Sequence, residues 1–163
     1  MKLAIISDLH DNSVNLSQAL VWCKANDIAE LICAGDLTNE DTLDQLARNF
    51  PQQIYLVRGN ADNYDERLIM NYPNIIYLAR TGGVAEVDGR RIGICHEPDL
   101  ADNLIIEKAE IVFYGHTHKP WEEAREGVRL VNPGTLGGMF QKATFAVYDT
   151  DSAELELKIL ESL

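Results

Sequence analysis

Residues 2–10, Lys2-Leu3-Ala4-Ile5-Ile6-Ser7-Asp8-Leu9-His10, join an apolar run directly to two side chains of metal-binding type. The run over residues 2–7 predicts a buried strand. Asp8 and His10 are two residues apart, so they lie on one side of the chain if the segment stays extended. An aspartate that caps the next helix, beside a solvent-facing histidine, is the alternative reading of this short motif.

Helix and strand patterns alternate after this opening strand. Residues 12–24 predict a helix capped by Asn12 or Ser13, and residues 31–34 predict a second short buried strand. Thr38 is a candidate cap for a helix over residues 39–49, and residues 53–57 predict a third strand. This order of elements favours a parallel sheet with helical crossovers.

The second half of the chain has a different pattern, dominated by paired strands. The predicted pairs are residues 83–87 with 90–95, 121–125 with 128–131, and 144–149 with 154–159. A helix over residues 100–109 and a strand over 111–114 lie between the first two pairs. We therefore expect an α/β fold in which two mixed β-sheets pack as a sandwich with helices on the outer faces. No repeat or linker is visible, so residues 1–163 are expected to form a single domain.

Composition narrows the classes of function. The formal net charge of −12 disfavours a broad nucleic-acid-binding face and an anionic membrane surface. No segment has the roughly 20 apolar residues that cross a bilayer, and the N-terminal apolar run is too short for a signal peptide. We therefore expect a cytoplasmic protein. The three cysteines form no C-x-x-C pair, which favours reduced, mostly buried thiols.

Side chains of metal-ligand type recur where the predicted strands end. Taken singly, an aspartate or asparagine after glycine is typical of a turn, and a lone histidine is typical of a core. Ligands of open α/β sheets bind beyond the carboxyl ends of the strands, so residues at several strand ends predict one shared site. Oxygen and imidazole donors in this number favour a centre of two metal ions. The candidate residues are Asp8, His10, Asp36, Asn60, His96, His116 and His118.

The ordered series D-x-H, G-D, G-N, H and G-H-x-H resembles the calcineurin-like metallophosphoesterases. The series runs from Asp8 to His118, and Asn132-Pro133-Gly134-Thr135 is similar to a later N-P-G-[ST] turn of that family. The short chain and the form Gly59-Asn60-Ala61-Asp62 resemble its small phosphodiesterase branch, to which the retromer-coat subunit of the same fold is related. The motifs are specific for fold and metal site and far less specific for substrate.

The resemblance implies a division of the ligands between two ions. One ion would take Asp8, His10, Asp36 and His118, and the other would take Asp36, Asn60, His96 and His116, so that Asp36 bridges them. Mixed imidazole and oxygen ligation suits divalent transition metals better than Mg²⁺ or Ca²⁺. We expect Mn²⁺ first, with Ni²⁺, Fe²⁺, Co²⁺ and Zn²⁺ as alternatives.

The resemblance also implies hydrolysis of a small phosphodiester by a hydroxide that bridges the two metals. Many phosphatases of the family carry histidine after the G-N asparagine to assist the leaving group, and this chain has Ala61 there. Asp62 or His10 could partly replace that histidine. A catalytically weak scaffold or binding module of the same fold and a phosphomonoesterase are the alternative functions.

Three further residues have two interpretations each. Arg58 precedes Gly59 and could touch substrate, but an ion pair on an exposed loop is the more common role for such an arginine. The fold also suggests a homodimer, to which Trp121 or Phe140 would contribute if they are exposed rather than part of the core.

Overall fold

The computed structural model describes all residues, 1–163, and contains eleven strands, three α-helices and three short 3-10 helices. The strands are β1 (Lys2–Ile6), β2 (Glu30–Cys33), β3 (Ile54–Leu56), β4 (Ile75–Tyr77), β5 (Gly83–Val87), β6 (Arg90–Ile94), β7 (Ile111–Phe113), β8 (Trp121–Arg125), β9 (Val128–Asn132), β10 (Thr144–Asp149) and β11 (Leu155–Ile159). The α-helices are α1 (Ser13–Ala25), α2 (Glu40–Asn49) and α3 (Ala101–Ile106). The 3-10 helices are Glu66–Asn71, Pro98–Leu100 and Leu160–Ser162.

The strands form two mixed sheets. The six-stranded sheet has the order β11-β10-β1-β2-β3-β4, with β1 to β4 parallel and β10 antiparallel to β1. The five-stranded sheet has the order β5-β6-β7-β9-β8, in which β6, β7 and β9 are parallel neighbours and the outer strands pair antiparallel. Both sheets therefore mix parallel and antiparallel pairs, as the sequence predicted.

Strand β1 shows why the two sheets pack face to face. Successive side chains of a strand point to opposite faces, and in β1 both faces are buried. Leu3 and Ile5 pack into a cluster of 15 buried residues between the two sheets. Ala4 and Ile6 pack into a cluster of 22 buried residues that also contains apolar residues of α1 and α2. The opening apolar run therefore contributes to two cores at once.

The outer layers complete the sandwich. A third cluster, of seven buried residues, joins Ala101 and Leu104 of α3 to Val112 of β7 and Leu130 of β9. Helices α1 and α2 thus cover the six-stranded sheet, and α3 covers the five-stranded sheet. The predicted sandwich with helices on its outer faces is confirmed.

Two local predictions are wrong, and one strand was not predicted. Strand β4 was not predicted, although it extends the parallel part of the six-stranded sheet. The helix expected over residues 100–109 is shorter, because Pro98–Leu100 is a 3-10 helix and Lys108 adopts a left-handed conformation with φ 65°. The cap of α2 is Asn39 rather than Thr38: the Asn39 side chain accepts a hydrogen bond from the Thr42 backbone N–H at 2.9 Å.

The burial of individual side chains bears on two further expectations. Trp121 is 51% exposed and Phe140 is 91% exposed, so neither belongs to the core, and a homodimer contact through them stays a prediction. The three cysteines are free and buried, as expected. None of the helices combines the length and the hydropathy that spanning a bilayer requires.

Candidate metal centre

The candidate residues occupy loops at the carboxyl ends of five strands. The six-stranded sheet contributes Asp8 and His10 after β1, Asp36 after β2, and Asn60 after β3. The five-stranded sheet contributes His96 after β6, and His116 and His118 after β7. All seven side chains are linked to one another by contacts of 4.0 Å or less. The two sheets therefore meet in a single cluster of donors.

One end of the cluster contains Asp8, His10 and His118. Nε2 of His118 lies 3.3 Å from Oδ1 of Asp8 and 3.0 Å from Nε2 of His10. Nε2 of His10 is 3.7 Å from Oδ2 of Asp36, which connects this end to the rest of the cluster. Three potential ligand atoms thus lie close enough together to share one ion.

The other end of the cluster contains Asn60, His96 and His116. Oδ1 of Asn60 is 3.0 Å from Nε2 of His96 and 2.8 Å from Nδ1 of His116. Nε2 of His96 is also 3.3 Å from Oδ2 of Asp36. Asp36 therefore contacts imidazoles at both ends, because the same oxygen faces His10 and His96.

The backbone after β1 is not extended, contrary to the prediction. Asp8 has φ 52° and His10 has φ 48°, both in the left-handed region. The turn still brings the two side chains together, with Nε2 of His10 4.0 Å from Oδ1 of Asp8. Non-glycine residues in this conformation cost free energy and cluster at functional sites. The side chains of Asp8 and His10 thus point the same way because of a strained turn, and not because the segment is an extended strand.

Asp8 is fixed by its immediate surroundings. Its carboxylate accepts hydrogen bonds from the Ser7 hydroxyl at 2.6 Å and from the His116 backbone N–H at 3.0 Å. The side chain is completely buried. Burial raises the pKa of the Asp8 carboxyl, although the hydrogen bond from Ser7 opposes that rise. The ionised form of Asp8 therefore needs a positive partner.

Asp36 and His96 form a buried pair that favours charge on both. Burial opposes ionisation of Asp36, but the hydrogen bond and the positive field of His96 outweigh it and lower the pKa of the carboxyl. Burial likewise opposes protonation of His96, and the bond to Asp36 outweighs it and raises the pKa of the imidazole. Nδ1 of His96 is 2.8 Å from the Ala34 carbonyl, which can only accept, so the opposite nitrogen is directed at the cluster.

The donor set fits divalent metal ions. Asp8 and Asp36 are both buried, and neither forms an ion pair with a lysine or an arginine. Buried charges are paired or coordinate metals, and the only ionisable groups that face these two carboxylates are imidazoles. Oxygen and nitrogen donors in this mixture suit transition metals. Two bound cations would take the place of imidazole protons as the positive partners of the two carboxylates.

Two glycines make the close approach of the loops possible. A Cβ atom on Gly59 would lie 2.1 Å from Oδ1 of Asp36. A Cβ atom on Gly115 would lie 1.9 Å from the Ser7 hydroxyl and 2.8 Å from Oδ2 of Asp8. Any larger residue at either position would displace a candidate ligand.

The turn over residues 132–135 is hydrogen-bonded to the loop after β7 that carries His116 and His118, which we call the histidine loop. The Asn132 side chain donates to the Gly115 carbonyl at 2.7 Å and to the Thr117 hydroxyl at 3.0 Å. The Thr135 hydroxyl donates to the Asp8 carbonyl at 2.7 Å. These residues act on the candidate ligands only through the backbone, and their place in the N-P-G-T motif was the one sequence signal that pointed to them.

Two expectations about neighbouring residues change. The Asp62 carboxylate accepts three backbone N–H groups, which disfavours the role of substitute proton donor that the sequence allowed. Arg58 does form an ion pair, with Glu66 at 3.8 Å, but its side chain is mostly buried rather than exposed. Its guanidinium also donates to the Asp62 carbonyl at 2.7 Å.

Comparison with known proteins identifies the family of the chain. The model of the calcineurin-like phosphoesterase superfamily domain matches residues 1–153, and the chain belongs to that superfamily. A phosphodiesterase of Methanocaldococcus jannaschii is 26% identical over 175 residues, which cover 99% of this chain and 100% of the relative.

Solved structures show the same fold. That of an archaeal phosphodiesterase superposes with a TM-score of 0.85 at 24% identity and covers 98% of this chain and 99% of its own. The Vps29 protein of Entamoeba histolytica, solved with Zn²⁺, superposes with a TM-score of 0.70 at 20% identity and covers 96% and 90%. Both likenesses concern the fold alone.

Proposed function

We propose that the protein is a phosphodiesterase whose catalytic site holds two divalent transition-metal ions. One observation carries the proposal: donors from five strand ends surround two buried carboxylates that have no lysine or arginine partner. Membership of the phosphoesterase superfamily supports the class of reaction. The archaeal relative that is named a phosphodiesterase supports a diester as the substrate.

The proposed ligands divide into two sets that share Asp36. Its Oδ2 atom faces both sets, which supports its role as the shared ligand. The imidazole rings of one set lie 4.8 Å apart between centroids, and those of the other lie 5.3 Å apart. The first set is Asp8, His10, Asp36 and His118, and the second is Asp36, Asn60, His96 and His116.

The two ions, when bound, would supply a water activated for direct attack on phosphorus and positive charge for the phosphoryl oxygens. The chain's own residues determine how substrate arrives. Asp8 and Asp36 form the buried floor of the cluster, whereas Asn60 and His116 are exposed. A small phosphoester would therefore approach from the side of Asn60 and His116.

Ala61 bears on the choice between diester and monoester. It is the residue next to Asn60, and its methyl group can neither donate a proton nor bind an oxygen. With Asp62 fully engaged by backbone N–H groups, this loop has no acid for a poor leaving group. This favours a phosphodiesterase over a phosphomonoesterase. The net charge of −12 further favours a small substrate over a nucleic-acid strand.

The experiment compares two chromogenic esters after removal and return of metal. Protein treated with a chelator is assayed with bis-p-nitrophenyl phosphate and p-nitrophenyl phosphate, each with Mn²⁺, Ni²⁺, Co²⁺, Fe²⁺ or Zn²⁺. We expect no turnover without metal, and faster turnover of the bis ester than of the monoester, with Mn²⁺ the first candidate. Absence of turnover with every metal, in protein that binds Mn²⁺, would favour the scaffold alternative instead.

A further inference from the structure

The Asp62 carboxylate accepts three backbone hydrogen bonds beside the candidate metal centre. The side chain is buried, with 8% of the residue exposed. Oδ2 accepts from the Gly59 N–H at 2.7 Å and from the Asp36 N–H at 3.2 Å, and Oδ1 accepts from the Thr38 N–H at 2.7 Å. One side chain thus ties the loop after β2 to the loop after β3, and each of these loops carries candidate ligands.

Two of the three donors belong to residues in strained conformations. Asp36 has φ 58° and Thr38 has φ 90°, both in the left-handed region. Such residues cost about 1–3 kcal/mol each and persist only where their surroundings enforce them. Hydrogen bonds from these N–H groups to a carboxylate are charge-assisted and therefore stronger than neutral ones. Asp62 stabilises the turn that directs the Asp36 side chain.

The same arrangement determines which oxygen of Asp36 faces the imidazoles and is free to bind a metal ion. Oδ1 of Asp36 accepts a hydrogen bond from the Ala61 N–H at 2.8 Å, in the loop that Asp62 closes. Oδ2 is left facing Nε2 of His96 at 3.3 Å and Nε2 of His10 at 3.7 Å. A shift of the loop would turn Oδ2 away from one of these imidazoles.

Arg58 supports the loop from its other side. Its guanidinium donates to the Asp62 carbonyl at 2.7 Å and lies 4.9 Å from the centroid of the Tyr64 ring. The Asn63 N–H donates to the Thr38 carbonyl at 2.7 Å, next to the bond that Asp62 makes. Both the side chain and the backbone of Asp62 are therefore held in place.

We propose that Asp62 is a positioning residue that aims the Asp36 carboxylate so that one oxygen serves both metal sites. The proposal rests on the proposed function, because it assigns Asp62 a role through a candidate metal ligand. The Asp62 carboxylate bonds only to backbone N–H groups, so it would act on the ions through the Asp36 ligand. Its effect on catalysis is carried by metal binding alone.

The test replaces Asp62 by asparagine and measures Mn²⁺ binding by titration calorimetry. The amide has one acceptor oxygen, and its NH₂ group would face an N–H donor, so at least one of the three bonds is lost. Loss of a partner that orients a ligand costs about 10–100-fold in metal affinity or activity. We expect Asp62→Asn to weaken Mn²⁺ binding by that factor and to raise the Mn²⁺ concentration for half-maximal turnover, with a kcat near wild type at saturation.

Asp65→Asn is the matched control. Asp65 lies three residues further along the same loop, and its side chain bonds only to Arg67. The same change of acid to amide there should leave Mn²⁺ affinity and the metal dependence of turnover at the wild-type values.

A second variant separates positioning from a merely structural role. Thr38→Gly keeps the backbone N–H, permits φ 90° without strain, and removes a hydroxyl that is buried without a partner. Combined with Asp62→Asn, it should restore thermal stability while Mn²⁺ affinity stays low. If the double variant regains both, Asp62 acts through stability alone, and the proposal is wrong.

The remaining outcomes are also decisive. Wild-type Mn²⁺ affinity in folded Asp62→Asn would overturn the positioning role while leaving the proposed function intact. Absence of Mn²⁺ binding by the wild-type protein would overturn the proposed function itself. If neither Asp62→Asn nor the double variant folds, Asp62 is a determinant of folding, and the proposal is rejected in that case too.

Discussion

The two sheets make unequal contributions to the metal centre. Loops of the six-stranded sheet supply the three oxygen donors, Asp8, Asp36 and Asn60, together with one imidazole. Loops of the five-stranded sheet supply three imidazoles and no oxygen. The carboxylates are buried at the floor, whereas His116 is exposed. Neither sheet holds a complete ligand set, so the site depends on the packing between the sheets as much as on the residues themselves.

The largest effect is expected from the oxygen side, at Asp36. Asp36→Asn removes the charge of the one ligand that faces both ends of the cluster. Because loss of an orienting partner alone costs about 10–100-fold, loss of the shared ligand should reduce kcat/KM by more than about 100-fold. The measurement is turnover of bis-p-nitrophenyl phosphate with Mn²⁺. The control is Asp41→Asn, at an exposed aspartate, which should keep wild-type turnover. If Asp36→Asn also keeps wild-type turnover, Asp36 is not the shared metal ligand.

A smaller loss is expected from the imidazole side, at His116. The imidazole of this residue contacts only one end of the cluster, through Asn60 at 2.8 Å. His116→Ala should therefore lower the number of tightly bound Mn²⁺ ions from two to one, and it should reduce turnover by at least about 10-fold, which is what loss of an orienting partner costs, yet by less than Asp36→Asn does. Metal analysis after gel filtration counts the ions. Lys119→Ala, in the same exposed loop, is the control and should keep two ions. If His116→Ala also binds two ions, the unequal roles of the sheets are contradicted.

The packing between the sheets can be perturbed without touching a ligand. The ring of Phe113, on β7, packs edge-on against Tyr148 of β10 at 5.7 Å between centroids and is fully buried. Phe113→Ala should lower the free energy of unfolding by about 3–5 kcal/mol. Because β7 leads into the histidine loop, Mn²⁺ affinity should fall as well. Phe140→Ala, at a residue that is 91% exposed, should change stability by less than about 0.5 kcal/mol.

The smallest effect concerns a thiol remote from the site. Burial raises the pKa of Cys23 from 9.0 to about 12. Above pH 9 the unfolded chain releases the thiol proton and the folded chain keeps it, so the free energy of unfolding falls as pH rises. Between pH 9 and 10 this thiol should contribute less than about 1.4 kcal/mol to the decline. Urea titrations at both pH values should show that the free energy of unfolding declines less in Cys23→Ala than in the wild type. An equal decline in the two proteins would show that the Cys23 thiol does not contribute.

The sequence predicted the layers well because the hydrophobic pattern determines them directly. Strand β1 is buried on both faces, and the apolar run over residues 2–6 shows that without any structure. Strand β4 was missed because only three residues form it and none is fully buried. The end of α3 was missed because the left-handed turn at Lys108 carries no glycine signal.

The candidate site was predictable as a set of residues but not as a geometry. Strand-end position and residue type identified all seven donors, and their ligand roles stay predictions. The direction of Asp8 and His10 depends on left-handed turns that spacing alone does not encode. The sequence allowed Asp62 a role as an acid because a carboxylate lies next to the site, whereas in the fold three backbone N–H groups donate to that carboxylate. Only the fold shows where those groups lie.

Anomalous scattering from crystals grown with Mn²⁺ tests the central claim most directly. We predict two peaks in the anomalous map at the manganese edge, one beside Asp8, His10 and His118 and one beside Asn60, His96 and His116, with Asp36 between them. A single peak, or peaks away from these seven side chains, would contradict it.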